Sequence, residues 1–248
     1  MKGALIIFLC LVLSFAVLSS CQKAQEEQSA QQEAAPVVEE VKEIPAVCIW
    51  EDASIRADAS FKAKWLSKMA LGEKVIWLGK EKVDSTDDNR KFYKVRLSDG
   101  TEGWVWEHAI ATDAKPAIAY KEAPIYRRPD LLTVTDVVLD TMEMVAIVGS
   151  DGDWIEVVGH KSEKKGWIQS KLVSIKDIDV AVGLLASKAL NEKNKDLKKQ
   201  KLEAIIDNPA FSASIFIEDI KNKIEDLKPK PEPETEVLQE ADSTEITM

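Results

Sequence analysis

The sequence is poor in the residues that most reactive and metal-binding sites require. It holds two histidines, His108 and His160, and three cysteines, Cys10, Cys21 and Cys48. None of the cysteines forms a CxxC pair or a ligand cluster with either histidine, so no zinc site is expected. A basic surplus is missing as well: 33 Lys and Arg stand against 43 Asp and Glu, a formal net charge of -10. Nucleic-acid binding needs a basic face, and that class is excluded. G-x-S-x-G, Walker, H-E-x-x-H and Rossmann motifs are all absent from the sequence. Carboxylates are plentiful, but no motif selects two of them for glycoside chemistry. The candidate thiol–imidazole pair for nucleophilic catalysis is Cys48 with His108. Cys48 lies in an apolar strand and reads better as a small buried hydrophobe. His108, in a closing turn, reads as exposed. Neither an enzyme nor a cofactor is expected.

What the N-terminus does hold is an address. Lys2 precedes an almost unbroken apolar run, Ala4 to Leu18, which is signal-peptide length and short for a membrane span. LSSC follows, Leu18 to Cys21. This resembles the lipobox of bacterial lipoproteins, where small residues precede a cysteine whose sulfur takes the lipid. The resemblance implies cleavage before Cys21, acylation of Cys21 and a partner in membrane lipid. The alternatives are a plain signal peptide or an uncleaved anchor. Gln22, in place of Asp, implies the outer membrane under the sorting rule of enteric-type bacteria. Residues 21–45, rich in Gln, Glu and Ala, are expected to form a flexible tether. At about 5–6 Å times the square root of its length, such a tether reaches a few tens of Å.

From Ala46 the pattern turns to short apolar runs between turn residues, an all-β signature. EKVIWL, Glu73 to Leu78, reads as a strand. Phe92 to Leu97 alternates apolar and polar residues, and Asp99-Gly100 marks a hairpin turn. GTEGWVWEHAI, Gly100 to Ile110, then has a weaker echo in KKGWIQSKLV, Lys164 to Val173. APIYRRPD, TMEMVAIVG and DWIEVV likewise echo ASIRADAS, LGEKVIWLG and FYKVRL. Spacing of this kind marks two copies of one small fold. The motifs, an early Arg strand, a Gly-centred turn and a GWV hairpin, resemble those of bacterial SH3-like domains. Phe92 stands where that family usually has Trp, and the second copy restores it as Trp154. The resemblance implies two tandem SH3-like β-barrels, at 46–113 and 118–175.

The β pattern ends at Asp177. Residues 177–207 read as one long helix, and Asn208-Pro209 breaks it and can restart another. The fold class expected is therefore mainly β with C-terminal α: two barrels followed by a helical hairpin over 177–227. The hairpin is expected to pack on itself or on the second barrel, with a partner helix as the alternative. Residues 228–248 are proline-punctuated and acidic and read as a disordered tail.

Barrels of this kind present an aromatic groove beside their longer loops, where peptides dock. Candidate ligand contacts are Trp65, Trp77, Tyr93 and Trp106 in the first copy and Tyr126 in the second, each with a core role as its alternative. Trp104 and Trp167 are expected in the cores. The resemblance implies a non-catalytic module of the bacterial cell envelope that binds peptidoglycan or envelope protein segments. The alternative is a structural or host-facing lipoprotein whose barrels are spacers.

Overall fold

The computed structural model describes residues 42–227. The expected signal peptide, Cys21, most of the tether and the acidic tail lie outside the described residues.

Strands β1 (Ile44–Cys48), β2 (Ala53–Arg56), β3 (Trp65–Met69), β4 (Lys74–Asp84), β5 (Arg90–Arg96), β6 (Glu102–Trp106) and β7 (Ile110–Thr112) form one antiparallel sheet. A second sheet holds β8 (Lys115–Ala119), β9 (Ala123–Tyr126), β10 (Val134–Leu139), β11 (Met144–Asp151), β12 (Trp154–Gly159), β13 (Lys165–Gln169) and β14 (Val173–Ser174). The first is ordered β3-β2-β6-β5-β4-β1-β7 and the second β10-β9-β13-β12-β11-β8-β14, the same order with each strand advanced by seven. No pairing between the end strands of either sheet appears among the described residues. Strands β1 and β8 begin at Ile44 and Lys115, earlier than the apolar runs suggest, because Pro45 and Pro116 give each start the look of a linker. Proline is tolerated there, at the beginning of a strand.

The GW motif shows why the sheets take this form. Val95 faces Gly103 across the β5–β6 ladder, and Val157 faces Gly166 across β12–β13. A Cβ on Gly103 would overlap Ile55 and sit 2.8 Å from the Arg56 carbonyl oxygen. On Gly166 it would sit 2.6 Å from both Ile125 Cγ2 and the Tyr126 carbonyl oxygen. Each glycine thus lets one strand cross closely over another. That contact also fixes the phase of alternation. Gly103, Val105 and Ile168 are buried, whereas Trp104 and Trp167 are half-buried. The expectation that these two tryptophans fill the cores is corrected: the inward positions are taken by their neighbours.

The helical part also differs from expectation. Among the described residues three helices, not a hairpin, follow the second sheet: α1 (Asp177–Leu190), α2 (Lys195–Ile206) and α3 (Ile217–Asp226). The long helix is interrupted because Asn194 caps a new one, its side chain accepting from the backbone of Asp196 at 2.9 Å and Leu197 at 3.1 Å. Val182, Leu202 and Ile220 of the helices, with Phe216 just before α3, bury against Ile118, Met142 and Met144 of the second sheet region. Val47 and Ile49 of the first sheet join that same core. Gly183 makes the approach possible, since a Cβ there would lie 2.6 Å from Ile118 Cγ1. Each sheet keeps a smaller core of its own, around Ile55, Met69 and Val95 in the first and Ile125, Leu139 and Val157 in the second. At about 1.5–3 kcal/mol per large apolar side chain, the shared core holds sheets and helices as one body.

Candidate functional site

Two aromatic groups form on the first sheet, and the strand geometry separates them. Phe92 lies opposite Trp106 in the β5–β6 ladder, while Tyr93 lies opposite Val105. Side chains alternate faces along a strand, so Phe92 and Trp106 share one face and Tyr93 points to the other.

On the first face the loop between β2 and β3 folds inward. Phe61 stands edge-on to Phe92 at 5.2 Å and to Trp106 at 6.0 Å between ring centroids. The Arg90 guanidinium lies 5.3 Å from the Phe61 ring centre. Trp106 continues the chain of rings to Trp50 at 5.5 Å and His108 at 4.8 Å. The second sheet's loop reaches the same cluster. Lys161, in a left-handed conformation at φ 53°, donates its backbone N–H to the Ile49 carbonyl at 2.9 Å. Its ammonium then sits 5.1 Å from the centre of Trp50, with the His160 ring 6.4 Å away.

On the other face Tyr93 packs against Trp77 with centroids 4.8 Å apart. The Trp77 indole N–H donates to the Lys80 carbonyl at 3.2 Å. Burial raises the Tyr93 phenol above its usual value; Lys91 opposes this, and Glu107 and Glu81 reinforce it. Tyr93 and His108 both line a cleft of about 420 Å³ between the two sheets, with Glu107, Glu156, Ser162 and Lys165. His108 is exposed, and its Nε2 lies 3.9 Å from Glu107. Acids, a base, a phenol and an imidazole on apolar walls suit a polar, mixed-charge chain such as a peptide.

The expected ligand contacts therefore do not form one site. Trp77 and Tyr93 are paired, Trp106 belongs to the opposite ring cluster, and Trp65 stands 56% exposed on the edge strand β3. Tyr126 is buried and lies edge-on to Trp154 at 4.8 Å in the second sheet. Trp50, Phe61, His160 and Lys161 join the clusters without being among the expected contacts. Phe61 shares the loop that displays Trp65, which is the available signal for it; Trp50 meets Trp106 within the first sheet's region, and His160 and Lys161 depend on contact between the sheets.

Cys48 and His108 take different environments. Cys48 is fully buried, donates its S–H to the Trp50 carbonyl at 3.0 Å, and has a thiol pushed up to about 12, chiefly by burial. A thiol so protonated is no nucleophile at neutral pH. Among the described residues, no group of three or more His, Cys, Asp or Glu is placed to hold a metal ion.

Residues 51–111 match the bacterial SH3 domain family. The match runs from the turn after β1 into β7 and so covers most of the first sheet. No curated protein sequence matches the chain. Among solved structures, the chain is similar to NlpC2 of Trichomonas vaginalis at 14% identity and a TM-score of 0.24, over 66% of this chain and 55% of that one. NlpC1 of the same organism is similar at 14% identity and a TM-score of 0.24, over 62% and 56%. The chain thus spans little more than half the length of these structures.

Proposed function

We propose that this protein is a lipid-anchored, non-catalytic binding module of a bacterial envelope. Its ligand class is peptidoglycan peptide or an extended segment of an envelope protein. The observation that carries this reading is the bacterial SH3 domain at residues 51–111, with Tyr93 and His108 facing one cleft beside it. The shared strand order of the two sheets supports reading the second as another SH3-like copy. The lipobox-like LSSC at Leu18 to Cys21 supports anchoring through an acylated Cys21. The buried, protonated Cys48 supports a role without covalent catalysis. Gln22 supports the outer membrane as the address.

Sedimentation with purified peptidoglycan tests the reading. Wild-type protein is expected in the pellet, and Tyr93→Ala with His108→Ala is expected to weaken retention at least tenfold. Trp65→Ala measures whether the exposed edge tryptophan adds to it. Wild-type protein that stays in the supernatant would remove wall binding.

A further inference from the structure

A second cavity, distinct from the Tyr93 cleft, lies where β1, β4 and the end of β5 meet the start of the second sheet. It measures about 460 Å³, and its apolar lining includes Pro45, Ile76, Ala114 and Pro116. Ile175, 62% exposed, stands at its rim. At about 30 Å³ per water-sized group, the space holds on the order of 15 such groups.

The charged residues that line this cavity are of one sign. Lys74, Arg96 and Lys115 line it, and among the described residues no Asp or Glu does. That is unexpected in a chain with 43 acids against 33 bases. Two of the cations have exposed acidic partners outside the lining: Lys74 with Asp177 at 2.6 Å and Arg96 with Glu43 at 2.5 Å. Pairs this exposed hold weakly and can exchange for another anion. Lys115 has no acidic partner among the described residues.

We infer that this cavity binds a single-chain anionic amphiphile, its hydrocarbon tail against Ile76 and Pro116 and its head at Lys74, Arg96 and Lys115. An apolar tail accounts for the apolar walls, and a head of one negative charge accounts for the one-signed rim. A neutral hydrocarbon would leave Lys115 without an anionic partner. The low-dielectric walls strengthen the attraction at the rim relative to open water. The inference is independent of wall binding, which uses a different cleft.

The test is a methyl NMR titration of the full chain with dodecanoate below its micellar range. The readout must be local, because an acylated Cys21 or an unprocessed apolar run at residues 4–18 would attract amphiphiles as well. Saturable shifts are expected at the methyls of Ile76 and Ile175, and not at Ile168 in the core of the second sheet. Dodecanol, with the same tail and no charge, should bind at least threefold more weakly. Lys115→Glu, at an exposed position, should weaken dodecanoate at least threefold and leave dodecanol unchanged. Dodecyl phosphate distinguishes a carboxylate head from a phosphate one, and tighter binding of either anion than of dodecanol supports the site. Absence of saturable shifts, equal binding of dodecanol and both anions, or indifference to Lys115→Glu would overturn it. Trp65→Ala and His108→Ala should leave the titration unchanged, which separates its failure from failure of wall binding.

Discussion

The Ser174 hydroxyl donates to Asp179 Oδ2 at 2.6 Å, joining the last strand of the second sheet to the first turn of α1. The other oxygen, Oδ1, accepts the backbone N–H of Ile215 at 3.0 Å, which brings in the segment leading to α3. Asp179 is fully buried. One carboxylate therefore ties sheet, first helix and third helix together. Asp179→Ala leaves the Ile215 N–H without that partner, and a hydrogen bond to a charged group contributes about 1.5–3 kcal/mol. Urea unfolding followed by circular dichroism should show a loss of that size. A loss under ~0.5 kcal/mol would mean that the helices are held by apolar contact alone.

The same carboxylate gives a pH signature. Burial works against its charge, but the bonds from Ser174, the Ile215 N–H and Ser214 outweigh burial and hold the carboxyl below its ordinary value. A folded value below the unfolded one means that the contribution is complete above the unfolded value, about 3.9. It is then lost as pH falls through the lower, folded value. Stability of the wild type minus that of Asp179→Asn should thus be flat at neutral pH and shrink only in acid. A difference that grew as pH fell would contradict the assignment.

The two GW glycines offer a paired test of the close strand crossing. Gly103→Ala and Gly166→Ala both drive a methyl into backbone and an isoleucine. Overpacking of this kind costs about 1–3 kcal/mol. Gly166 also has a positive φ of 149°, so alanine is strained there even after relaxation. Gly100 provides the contrast: its φ is 85°, but nothing lies within 4 Å of the point where a Cβ would stand. Gly100→Ala should cost about 1–2 kcal/mol, from backbone strain alone. Thermal unfolding of the three variants should place Gly166→Ala lowest.

Local chemistry is legible in the sequence where it is set by near neighbours. The Asp99-Gly100 turn, the closing turn at Glu107–Ala109 and the strand β5 all appear where the residue pattern puts them. The phase of the GW strand is not legible, because it is fixed by the distant backbone of Arg56. Nor is the grouping of the aromatic residues. Tyr93 and Trp106 look alike as exposed-face candidates, yet a one-residue offset between Phe92 and Tyr93 sends them to opposite sides. The break at Asn194 is carried by a capping asparagine in a polar run that also suits a continuous helix. Lys161 meets Trp50 only because a left-handed residue carries its loop onto the first sheet, and no local pattern encodes that.

Cys48 should be silent in the folded protein. Its buried thiol, pushed up to about 12 and bonded to the Trp50 carbonyl, has almost no thiolate at pH 8. Iodoacetamide at pH 8 should leave the Cys48 peptide unmodified in native buffer and label it fully in denaturant, as read by peptide mass spectrometry. Rapid native labelling would show that the first sheet opens readily around β1.

The proposed lipid anchoring turns on a single atom, the Cys21 sulfur. The apolar run from Ala4 to Leu18 and the small residues before Cys21 resemble a lipoprotein processing site. Several acyl chains on one residue would hold the chain stably at a bilayer, where one chain would not. Cells grown with an alkyne-bearing fatty acid should label the wild type. Cys21→Ser should abolish the label and move the protein from the membrane fraction to the soluble one. Cys10→Ser should do neither, since Cys10 lies within the segment that processing would remove. Label that survives Cys21→Ser, or membrane retention without label, would show that the apolar run itself is the anchor.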